Sequence, residues 1–82
     1  MNNLNYLKSH LVALYQQEEN PLRKENLAHL IFCMDELILN KARISKEEIL
    51  DTFKTYSEYM LEVKMVYYIL KNMLVEPLTE NK

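Results

Sequence analysis

Starting at Ile49 and stepping alternately four and three residues, the chain reads Phe53, Tyr56, Met60, Val63, Tyr67, Leu70 and Leu74, apolar or aromatic at every stop. That period belongs to the seam of a packed or coiled helix and not to the alternation of a half-buried strand. Ser45 stands just before the run and Glu48 follows three residues on, the pattern of a capping box. Pro77 lies beyond the last seam residue, where a stop is expected. The spacing therefore predicts one long helix over 46–74, and the rest of the chain has to be arranged around it.

Composition narrows what surrounds it. The chain has 82 residues with Gly 0 and Pro 2. Without glycine, tight turns at positive φ and phosphate-cradling loops are nearly excluded, which leaves helices on short connections. A single domain of this size buries about 60–65% of its unfolded surface. The lone Cys33 rules out an internal disulfide, so association with another chain is the common remaining source of burial. A formal charge of -2 with mixed signs gives no general attraction to nucleic acid or anionic lipid. The start MNNLNYLKSHLVALY has neither the basic segment nor the uninterrupted apolar core of a signal peptide. The longest apolar runs fall far short of the roughly 20 residues that cross a bilayer. A cytoplasmic protein without membrane insertion is the expectation.

Two shorter helices precede the long one. Leu4, Leu7, Leu11 and Leu14 form a stripe that predicts a helix over 3–17. Asn20 and Pro21 suit the N-cap and the first helical position of a second helix, over 21–40. Leu27, Leu30, Ile31, Met34, Leu37 and Ile38 make its stripe broad enough for two neighbours. Asn40 ends it in a left-handed conformation where glycine is lacking. Ile44 precedes the cap at Ser45 and can staple onto Ile49 or Leu50. Residues 76–82 read as a polar, frayed tail.

Short connections make successive helices antiparallel. The fold expected is all-α, a small antiparallel bundle of three helices spanning 1–82 as one domain. The alternative is four helices, should the long helix break near Thr55, Tyr56 and Ser57, three modest helix formers in a row. Unbroken, helix 3 is about 43 Å long against about 30 Å for helix 2. Residues 66–74 then overhang the bundle, and they are its most apolar part.

Catalytic and metal chemistry find little support. His29 and Cys33 share a helix face, but a zinc site needs three or four ligands. Cys33 among Phe32, Met34 and Leu30 reads as an inert packed thiol. Paired carboxylates such as Asp35 with Glu36, or Glu58 with Glu62, are placed on hydrophilic faces, without a pocket to split their pKa values. No cofactor loop is present. The expectation is a non-enzymatic helical protein that acts by binding protein, as a regulator, inhibitor, immunity protein or chaperone-like adaptor. It dimerises through the C-terminal half of helix 3, with Tyr59, Val66, Tyr67, Ile69, Leu70, Met73 and Leu74 as anchors. The alternative is a dimeric nucleic-acid-binding regulator using Lys41, Arg43 and Lys46, against which the acidic start of helix 3 counts.

Overall fold

The computed structural model describes residues 3–41 and 43–80, the last six of these through their backbone alone. The described residues form four α-helices and no strand: α1 Asn3–Gln17, α2 Pro21–Leu39, α3 Lys46–Ser57 and α4 Leu61–Glu80. The chain divides into two compact units, Met1–Ser45 and Lys46–Lys82. Each holds a pair of helices on a three-residue connection, which makes the pair antiparallel.

In the first unit α1 buries Leu7 and Leu11, and α2 buries Leu27, Leu30, Cys33 and Met34. Neither helix would persist alone in water at this length, so burial of these stripes holds them. Local chemistry fixes where the chain turns. The Glu18 N–H donates to the carbonyls of Leu14 at 3.0 Å and Tyr15 at 3.3 Å, which tightens the end of α1. Asn20 Oδ1 then accepts from the N–H groups of Leu22 at 2.9 Å and Arg23 at 3.2 Å, and Pro21 occupies the first turn of α2. Lys24 on α2 lies 4.0 Å above the Tyr15 ring and donates to the Tyr15 carbonyl at 2.6 Å. That places a cation at the negative end of the α1 dipole. Lys8 and Asp35 join the helices further along at 2.7 Å, each 37% exposed, and such a pair contributes at most about 1 kcal/mol.

Helix α2 stops at Asn40, which takes φ 55 and ψ 44. Its N–H bonds the Leu37 carbonyl at 3.2 Å, and the Lys41 N–H reaches the Glu36 carbonyl at 3.3 Å. This is the left-handed termination that glycine usually supplies.

In the second unit Ile49, Phe53 and Ser57 of α3 are buried with Val63, Val66 and Leu70 of α4, and Met60 is buried in the turn. The stretch read above as one helix is thus divided at Glu58, Tyr59 and Met60, directly after Thr55, Tyr56 and Ser57, where the four-helix alternative set the break. Hydroxyl groups explain where it gives way. Thr52 and Thr55 bond the carbonyls four residues back, at 2.8 and 3.0 Å. Ser57 Oγ takes the Lys54 carbonyl at 2.6 Å, which in a continuing α-helix would accept from the Glu58 N–H. The Glu58 N–H turns instead to Thr55 at 3.2 Å, a tighter 3₁₀ bond. The other end also departs from expectation. Pro77 does not stop α4, which runs through 76–80, residues read from sequence as part of a frayed tail. Pro77 has no N–H for the Met73 carbonyl, so the helix continues past one missing bond. The remainder of that tail, 81–82, lies outside the described residues.

Candidate interaction surface

Helix α4 has two apolar sides. Val63, Val66 and Leu70 point inward and are each 0% exposed. Leu61, Met65, Tyr68 and Ile69 stand at i, i+4, i+7 and i+8, a single stripe on the opposite side. Their exposures are 78%, 53%, 53% and 37%. Tyr68 is oriented by its half-buried neighbour, the two rings lying 5.3 Å apart with 50° between their planes. Exposed Lys64 and Lys71 line one edge of the stripe.

The seven anchors expected from sequence separate accordingly. Val66 and Leu70 are buried within the second unit. Tyr67, Met73 and Leu74 are half-buried, whereas Ile69 and Tyr59, the latter in the turn, are exposed. Leu61, Met65 and Tyr68, exposed on the same side as Ile69, were not among the expected anchors. The i, i+4, i+7 spacing that would have found them was present, but the longer heptad seam beside it drew the assignment.

The basic residues of the alternative reading are exposed as well, and one of them is engaged. Arg43 donates from Nε to Glu36 Oε1 at 3.2 Å and from Nη2 to Oε2. Glu36 is a buried residue of α2, contrary to its placement on a hydrophilic face. The Arg43 guanidinium beside it holds its carboxyl below the usual carboxylate value.

Cys33 is buried, and its thiol pKa is pushed up, first by burial and then by the negative charge of Glu36, so the nucleophilic thiolate is disfavoured. His29, one turn earlier on α2, is exposed. Among the described residues no three His, Cys, Asp or Glu side chains gather as a metal site would require, and no helix is long and apolar enough to cross a membrane. No protein-family model matches the chain, and neither does any curated protein or solved structure.

Proposed function

We propose that this chain is a non-enzymatic helical protein that works by binding protein, as a regulator, inhibitor or adaptor, and that the outward stripe of α4 is its contact surface. The observation that carries the reading is the pairing of a buried and an exposed apolar face on one helix. A helix that packs once needs one apolar stripe; a second stripe, with methionine and tyrosine in it, suits a second protein surface. Leu61, Met65, Tyr68 and Ile69 take the place of Val66 and Leu70 as outward anchors, with Tyr59 beside them. Self-association remains part of the proposal. A cytoplasmic setting agrees with a lone thiol left unpaired. The nucleic-acid alternative is weakened by the engagement of Arg43 with Glu36.

Site-specific photo-crosslinking in the cells that make the protein tests this. A photoreactive residue at Met65 or Tyr68 should give discrete adducts, and the same residue at Asp51 on α3 should not. Equal labelling at all three positions, or none at Met65 and Tyr68, would sink the reading.

A further inference from the structure

The turn between α3 and α4 is made of helix material. Glu58, Tyr59 and Met60 include neither glycine nor proline, and among the described residues only Asn40 has positive φ. The Met60 N–H donates to the Tyr56 carbonyl at 2.8 Å, an α-helical bond, and the Met60 carbonyl accepts from the Val63 N–H at 2.9 Å. Helical bonding thus runs up to Met60 and starts again from it. The side chains tell the same story. Ile49, Phe53, Met60, Val63 and Leu70 fall on one line if the helix is straight, and all five are buried in the hairpin. Tyr56 and Tyr67 on the same line are half-buried, and Ser57 and Val66 are buried beside it, so a straight helix paired with a second copy and a hairpin would bury largely the same residues, and the difference lies in whose α3 meets whose α4.

We propose that the partner for this unit is a second copy of the chain, and that two copies associate by exchanging helices. In the exchanged pair α3, the turn and α4 straighten into one helix over 46–80. The α3 of each copy packs on the α4 of the other, antiparallel, about a two-fold axis near residues 58–60. Short connections under strain invite such exchange, since direction has to reverse within a few residues that have no turn chemistry of their own. The contacts are those of the hairpin, so the pair needs no new surface. What opposes it is the high effective concentration of α4 beside its own α3, and the dimer therefore grows with protein concentration. This goes beyond the outward stripe of α4, which the exchange does not use; the pair would present that stripe twice. It also restores Val66, Tyr67 and Leu70 to an interface between copies, through their inner faces.

The test is the solution mass by light scattering over a concentration series, with circular dichroism to follow helix content. The whole chain should rise from 9.9 kDa toward twice that value. Inserting Gly-Ser-Gly between Tyr59 and Met60 lengthens the turn and should return the mass to that of one chain at every concentration. Met65→Lys with Tyr68→Lys, on the outward stripe, should leave the dimer in place. Ser57→Ala frees the Lys54 carbonyl for the Glu58 N–H and should raise the dimer share, which keeps the test decisive where the insertion unfolds the hairpin. A wild-type monomer throughout overturns the exchange, as does a dimer that survives the insertion. A dimer lost to the lysine pair also overturns it and assigns self-association to the outward stripe instead. A fall in dimer share on Ser57→Ala counts against it too.

Discussion

Arg43 holds both carboxylate oxygens of Glu36, and the Glu36 carbonyl accepts the Lys41 N–H, so one residue of α2 anchors the departing chain through its side chain and its backbone together. The arrangement sits at the very end of α2, where Asn40 has already turned the backbone left-handed. A carboxylate 4% exposed is tolerated there because the guanidinium satisfies it bidentately. Arg43→Ala would take the hydrogen-bonding cation from that buried charge and leave only the field of Lys41, and should lower the melting temperature more than Lys41→Ala does.

The same pair sets a pH dependence. Arg43 lowers the Glu36 carboxyl from its ordinary 4.5, chiefly by hydrogen bonding. Arg23, with help from the Asn20 N–H, lowers that of Glu18 from the same 4.5. A group whose folded pKa is depressed stabilises the fold above its unfolded pKa and loses that contribution as pH falls through the folded value. Thermal stability should therefore hold on the neutral side and decline on acidification below about pH 4.5. Glu36→Gln should melt lower than wild type near neutrality and show a shallower acid decline, both visible in melting curves at a series of pH values.

Asn40 is the one left-handed residue of the described chain, at φ 55. Replacing it with glycine should change stability by no more than a few tenths of a kcal/mol, while valine should cost about 1–2 kcal/mol, because a branched side chain crowds its own carbonyl there. Urea unfolding of the three proteins gives the order directly. Equal midpoints for glycine and valine would show that the turn is not held by backbone sterics.

Phe53 is the largest side chain that is fully buried, whereas Phe32 is 46% exposed. Phe53→Ala should cost about 3–5 kcal/mol, a large share of what a domain this small possesses. Phe32→Ala should cost well under half of that by the area it covers. Chemical denaturation distinguishes them, and comparable losses would contradict the burial described for α3.

Cys33 should react with a small alkylating reagent far more slowly in the native protein than in denaturant, since it is 2% exposed and its thiolate is disfavoured by burial. Labelling followed by mass spectrometry measures this. Comparable rates in the two conditions would mean that the α1 and α2 pair opens readily.

Much of the first unit was legible because its signals are local. Asn20 before Pro21 fixes a start, and Asn40 in a chain without glycine fixes an end; both need only a few neighbouring atoms. The burial of Glu36 was not legible, since a carboxylate on a helix reads as solvated until its cation is found, and that cation lies past the helix end. The division at 58–60 was legible only as the four-helix alternative, a break near Thr55, Tyr56 and Ser57, and it took second place for a different reason. A heptad seam records which residues are buried and says nothing about whether the helix carrying them is straight or folded back. The decisive signals were Thr52, Thr55 and Ser57, whose hydroxyls compete for backbone carbonyls and which pattern reading weighs only as modest propensity. Pro77 was overread: a missing N–H removes one bond and does not forbid the next turn. Of the exposed apolar side chains on the outer side of α4, the sequence reading singled out Ile69 but not Leu61, Met65 or Tyr68, because the stronger seam runs beside them.

The two apolar sides of α4 bear on how freely this sequence can drift. On α3 the outward positions Glu47, Asp51 and Lys54 are exposed and polar, and most replacements there should pass unnoticed. On α4 the inner positions answer to packing and, on the reading proposed above, the outer ones to a partner. Between residues 61 and 72 little beyond Lys64, Lys71 and Asn72 is left to vary neutrally. A saturation library should tolerate substitution along α3 in a helical rhythm and refuse it along α4 almost without one.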